Sequence, residues 1–117
     1  MADFRESERR AELSAILDKL EAVLKQLDLW EDERPPQRLI DSPQPFCFDT
    51  LEVHQWLQWL LIPRMRRILG ERDELPAKSA IHPYAEEFFG AQPLEAELLS
   101  LLARFDELIE GGVNRPH

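Results

Sequence analysis

Three histidines and one cysteine are the side chains of this sequence most suited to metal or nucleophilic chemistry, and their placement favours neither. His54 falls on the polar side of a helical segment, His82 precedes Pro83 and His117 is the last residue. No two stand four apart, the spacing by which a helix offers paired imidazoles to zinc. Cys47 alone can form neither an intrachain disulfide nor a cysteine zinc cage, so no metal and no cofactor are expected. Set between Phe46 and Phe48, it reads as a small packed hydrophobe. His54 lies seven residues further on, which leaves a cysteine–histidine dyad open on distance alone. Gly70, Gly90, Gly111 and Gly112 each fit a helix stop and form no phosphate-binding loop. Glu86, Glu87, Glu95, Glu97, Asp106, Glu107 and Glu110 read as surface charge. The residues assemble no catalytic constellation, and the chain is expected not to be an enzyme.

Arg64, Arg66 and Arg67, followed by Arg72, are the exception to an acidic trend, and Trp56 and Trp59 lie just upstream. Arginine and tryptophan are the residues most enriched where binding energy concentrates, and a local basic patch suits a phosphate or a carboxylate. The competing expectation is internal: arginines paired with the chain's own acids and tryptophans filling the core.

The elements that must position these residues are helices. Of 117 residues, 44% are hydrophobic and 32% charged, the makeup of one globular domain, taken here as residues 1–117. Lys plus Arg number 14 against 23 Asp plus Glu, a formal net charge of -9 that weighs against direct binding of nucleic acid or an anionic membrane. The charged N-terminus and the lack of a long apolar run point to a cytoplasmic protein. From Phe4 to Trp30, Leu13, Ile16, Leu17, Leu20, Val23, Leu24 and Leu27 recur at helical spacing. Pro35, Pro36, Pro43 and Pro45 punctuate a long connection with room for one helical turn over 36–40. Asp49-Thr50-Leu51-Glu52 has the form of a capping box, which places a helix start at Thr50. That helix carries Trp56 and Trp59 and ends before Gly70, with a kink or break near Ile62 because Pro63 has no N–H for the carbonyl of Trp59. A short helix enters at Pro83, and Leu98, Leu99, Leu101, Leu102, Phe105, Leu108 and Ile109 mark a last one. The tail 112–117 is expected to fray. No segment alternates as a strand does, so the fold class is all-α: a small up-down bundle of three long helices plus one or two short ones.

Gln44-Pro45-Phe46-Cys47-Phe48-Asp49-Thr50, then Gln55-Trp56-Leu57-Gln58-Trp59 and Leu61-Ile62-Pro63-Arg64-Met65, resemble the YqcC-like family of short bacterial helical proteins. The likeness runs over most of the chain and includes Ile81-His82-Pro83-Tyr84-Ala85. It implies a small cytosolic bundle whose genes often neighbour tRNA pseudouridine synthase C, a name sometimes attached to the family itself. It also implies that Phe46, Asp49, Thr50, Gln55, Gln58, Pro63, Met65, Pro83 and Tyr84 determine the fold first and touch partners second. The synthases such a name invokes hold a catalytic aspartate in a large mixed-sheet fold with a basic cleft. A strandless chain of charge -9 is expected instead to be a non-catalytic partner of such a synthase, or to self-associate. The alternative is a small-ligand site near Trp56, Trp59 and Arg64, with direct RNA binding through Arg64, Arg66, Arg67 and Arg72 as a third possibility.

Overall fold

The leucine stripe of the first segment folds as α1 (Phe4–Gln26), with Leu13, Ile16, Leu17, Leu20, Val23 and Leu24 buried and Asp18 and Lys19 left in solvent. The computed structural model describes residues 4–89 and 93–111. α1 stops short of Trp30 because Asp28 turns left-handed (φ 64°), and the Leu29 N–H then bonds back to the Leu24 carbonyl at 2.9 Å. Trp30 packs against the core with the Lys25 ammonium 5.2 Å from its ring centre.

The proline-rich connection contains the expected helical turn, α2 (Gln37–Ile40). The next helix begins at Val53 rather than Thr50, and its N-cap is Glu52, whose N–H is accepted by Gln55 Oε1 at 2.8 Å. Asp49 and Thr50 are used in the connection instead. Asp49 accepts from the Ser42 hydroxyl at 2.6 Å, and the Thr50 hydroxyl donates to the Leu39 carbonyl at 2.6 Å. Side chains that compete for local hydrogen bonds have here stapled a loop rather than opened a helix.

α3 (Val53–Trp56) runs through a π-helical turn, Leu57–Leu61, into α4 (Ile62–Glu71). The irregularity lies where Pro63 calls for it. Just ahead of the proline the Ile62 N–H bonds to the Leu57 carbonyl, five residues back, and Pro63 sits in the first turn of α4. α4 does not end before Gly70. It passes through that residue to Glu71 and closes on Arg72 in the left-handed region (φ 60°), whose N–H meets the Ile68 carbonyl. Gly70 is thus an exposed residue inside the last turn, and a Cβ there would meet nothing within 4 Å. Gly70→Ala is expected to stabilise the protein by about 0.5–1 kcal/mol by lowering the unfolded chain's entropy, seen as a higher urea midpoint with an unchanged m-value.

α5 (Ile81–Phe89) and α6 (Pro93–Gly111) complete the chain. The Gly90 stop and the tail 112–117 lie outside the described residues. Side-chain pairings give the helix directions. Arg9, near the start of α1, donates to the Leu108 and Ile109 carbonyls at 2.7 and 2.9 Å, and Arg104 holds Glu12 at 2.6 and 3.0 Å, so α1 and α6 run antiparallel. The Arg104 guanidinium also keeps the Glu12 carboxyl below the usual carboxylate range. Arg66 reaches Asp18 and Glu21, and Arg10 reaches the Asp73 carbonyl, which sets α4 antiparallel to α1. The start of α5 meets Asp106, and Ser79 just ahead of it meets Glu110, near the end of α6. The result is an all-α, up-down bundle, with no strand among the described residues. Nor is any helix of the described residues long and apolar enough to cross a membrane.

Asp106 is more than surface charge. One oxygen takes the Ile81 N–H at 3.1 Å and the Ser79 hydroxyl, and the other takes the His82 N–H at 2.8 Å. A carboxylate on α6 therefore caps α5, which lacks a capping side chain of its own, and satisfies first-turn donors that would otherwise be orphaned.

Candidate binding cleft

α4 and α6 both pack on α1 and run parallel to each other, and a cleft of about 720 Å³ opens between them. Its lining comes from five places: Phe46 of the connection, residues between Trp56 and Arg67 on the composite helix, Pro76 with residues 78–80, Ile81, and Phe105 with Ile109. Met65, Ile81, Phe105 and Ile109 are buried and form an apolar floor. Arg64, Arg67 and Lys78 are exposed and supply the charge. No acidic residue lines the cleft among the described residues.

Helical geometry explains which arginines arrive there. Arg64 and Arg67 are about 60° apart around α4, whereas Arg66 is about 160° from Arg64 on the other side. Arg66 accordingly faces α1, bonding Asp18 at 3.1 Å and Glu21 at 2.9 Å. Arg72, the left-handed cap, lies outside the cleft. The π turn matters as well. Trp56 and Arg64, eight residues apart, differ by about 80° on a regular helix, and one accommodated extra residue cuts that to about 20°.

Trp59 is held by the connection after α1. Its indole N–H donates to Glu31 Oε1 at 3.2 Å, and Gln55 Nε2 donates to the same carboxylate at 3.1 Å. His54 Nε2 lies 3.7 Å from Glu31 Oε2. Gln58 fastens the backbone of Glu31 from the other direction: Oε1 accepts its N–H and Nε2 donates to its carbonyl, both at 2.8 Å. The sequence places Gln58 on the polar side of its helix, yet only 5% of it is exposed. Its amide is buried because the strap at Glu31 supplies a complete pair of partners.

Phe46 enters from the loop in a left-handed conformation (φ 59°), followed by Cys47 at φ 50°. Such backbone costs about 1–3 kcal/mol per residue and persists only where its surroundings enforce it. The enforcement is visible: Cys47 N–H to the Gln44 carbonyl at 3.0 Å, Phe48 N–H to the Pro45 carbonyl at 3.1 Å, and Leu51 N–H to the Cys47 carbonyl at 2.8 Å. This strain delivers the Phe46 ring edge-on to Trp56 (5.0 Å) and stacked on Tyr84 (4.4 Å). Tyr84 continues to Phe88 at 4.8 Å, and Phe88 is 58% exposed. Burial raises the Tyr84 hydroxyl above its ordinary range. Cys47 is buried with Sγ 3.4 Å from the Ile40 carbonyl, and burial pushes its thiol up. A thiol so placed is a packed hydrophobe rather than a nucleophile, and His54 is engaged with Glu31.

Of the residues expected to bind, the structure therefore brings Trp56, Trp59, Arg64 and Arg67 together and sets Arg66 and Arg72 elsewhere. Phe46, Pro63 and Met65 line the same cleft, while Tyr84 joins it through Phe46. Pro83 is exposed in the first turn of α5. Lys78 and Phe105 carried no distinguishing signal in the sequence. Phe105 looked like any other core residue, and Lys78 sits in a polar connection with no periodicity to orient it.

A family model described as tRNA pseudouridine synthase C, DUF446, matches residues 12–108. A Haemophilus influenzae protein described as uncharacterized is 38% identical over 92 residues, 79% of this chain and 87% of that one. Protein YqcC of Escherichia coli, also described as uncharacterized, is 39% identical over 93 residues, covering 79% and 85%. Its solution NMR structure superimposes with a TM-score of 0.78 at 34% identity, over 93% of this chain and 94% of that one. A Pectobacterium carotovorum protein named tRNA pseudouridine synthase C is 31% identical over 68 residues, 58% of this chain but 18% of that longer protein. The synthase name thus comes from the description of the family model and from a relative matched over 58% of this chain, and no enzymatic activity is established for this chain. Sequence and fold agree over most of its length, and the chain belongs to the YqcC-like family that the DUF446 model describes.

Proposed function

We propose that this chain is a non-catalytic docking protein that serves a tRNA pseudouridine synthase. The observation that carries the reading is the match to the Pectobacterium protein of that name, in which the related segment takes up 18% of the length. A module tethered to an enzyme meets it at an effective concentration that can reach millimolar, and docking without a tether requires a surface with affinity of its own. The cleft between α4 and α6 is such a surface: an apolar floor, two tryptophans, and Arg64, Arg67 and Lys78 with no ion-pair partner among the described residues. The net charge of -9 directs the chain toward protein rather than tRNA, so it assists the synthase without gripping the substrate.

Titration calorimetry with the purified synthase of the same organism is the test. The expected result is a one-to-one complex of micromolar affinity or tighter, with no pseudouridine formed on tRNA by this chain alone. Absence of a complex at low salt, or pseudouridine formation without the synthase, overturns the proposal.

The second reading is a small-molecule site, favoured by the cleft's volume of about 720 Å³, which lies in the range of ligand pockets. Native mass spectrometry separates the two, since a retained small molecule of constant mass supports this reading over the first.

A further inference from the structure

We infer that the cleft between α4 and α6 takes an acidic, amphipathic segment of the partner protein, with an apolar side chain on the floor and carboxylates on Arg64, Arg67 and Lys78. This rests on the docking function above and names the chemistry of what is docked.

Charge sorting is the first argument. The chain has 23 acidic residues against 14 Lys and Arg, and Arg9, Arg10, Arg66 and Arg104 are ion-paired within the fold. Arg9 holds Glu6 and two α6 carbonyls, Arg66 holds Asp18 and Glu21, and Arg104 holds Glu12 and Glu107. Arg64, Arg67 and Lys78 have no ion-pair partner among the described residues, although acids outnumber bases in the sequence as a whole. Three free cations gathered at one cleft of an acidic protein set up a local positive field, and what complements it is an anionic group.

The second argument is the surface around those cations. The floor of Met65, Phe105 and Ile109 is apolar and gives a bound group no polar partner, so it suits a hydrocarbon side chain rather than a phosphate. From Trp56 the aromatic surface continues through Phe46 and Tyr84 to the exposed Phe88, in ring-to-ring steps of 4.4–5.0 Å. That strip extends past the cleft, which favours a length of polypeptide over a compact ligand. Aromatic anchors beside arginines are the composition of binding hot spots.

The test compares Arg64→Glu/Arg67→Glu with Lys19→Glu/Arg38→Glu, which makes the same change in net charge at exposed positions outside the cleft. Circular dichroism melting shows whether each variant keeps its fold. In calorimetry with the synthase, the cleft variant is expected to bind about tenfold or more weakly and the control within about threefold of wild type. Carbodiimide coupling of the wild-type complex gives a second measurement that needs no variant, joining Lys78 to an Asp or Glu of the synthase. A wild-type complex that tolerates the cleft reversal, or in which Lys78 couples to nothing, overturns this inference and leaves the docking function standing. No complex at all with wild type overturns both. A small molecule retained in native mass spectrometry, or a homodimer that the cleft reversal dissociates, assigns the cleft to another occupant and overturns the inference.

Discussion

Leu102→Ala is expected to remove about 2–5 kcal/mol of folding stability, and Leu20→Ala a similar amount. Both side chains are wholly buried, one on α6 and one on α1, in the same continuous cluster. Truncation therefore loses the transfer free energy of the removed carbons and leaves a cavity that two long antiparallel helices cannot readily close. A domain of this size has about 5–15 kcal/mol in all, so either change consumes a large share. Urea unfolding followed by circular dichroism should show a clearly lower midpoint with little change in slope. Ser100→Ala, at an exposed position of α6, is the control and should stay within about 0.5 kcal/mol. A Leu102 effect no larger than the control's would mean that the buried faces of α1 and α6 are wrongly assigned. Because Phe105 and Ile109 follow Leu102 on α6, a loosened α1–α6 contact should also blur the cleft floor.

Much of this architecture was legible because leucine periodicity reports burial directly. Leu13 to Leu24 and Leu98 to Ile109 recur at helical spacing, and the faces they mark are the buried ones. What the sequence does not announce depends on partners distant in the chain. Asp106 reads as one more exposed acid until the start of α5 is seen resting on it. Arg64, Arg66 and Arg67 form one basic run in the sequence, and a helical projection already separates Arg66 from the others. Only the position of α1 shows that Asp18 and Glu21 occupy Arg66 and leave its neighbours free. The left-handed pair Phe46 and Cys47 carries no glycine to announce it. Its geometry is enforced by loop hydrogen bonds, and local propensity alone argues against it. Asp49 differs from its local pattern for the opposite reason. Its box pattern is genuine, but the Ser42 hydroxyl competes for the carboxylate, and helix capping passes to Glu52 and Gln55.

Gln58→Leu is the second substitution of large expected effect, because leucine keeps the volume and removes only the amide. The Glu31 N–H and carbonyl would each lose a 2.8 Å partner in a half-buried setting. Each unsatisfied backbone group costs about 1–3 kcal/mol if it stays dry, so the expected loss is about 2–4 kcal/mol, less whatever the strap recovers by swinging out to water. The two responses differ in kind. A strap that stays in place lowers global stability in a denaturant titration. A strap that lifts frees Glu31 from the Trp59 indole and shows as altered tryptophan fluorescence and faster amide exchange between Leu27 and Glu52. Gln58→Glu discriminates further: it keeps an acceptor for the Glu31 N–H, loses the donor to its carbonyl and brings a second carboxylate toward the Glu31 side chain. It should therefore perturb the Trp59 environment more than Gln58→Leu does. Unchanged stability, fluorescence and exchange in both variants would show that buried Pro35 and the surrounding loop contacts hold the strap without Gln58. The amide's role in orienting Trp59 at the cleft would then have to be abandoned.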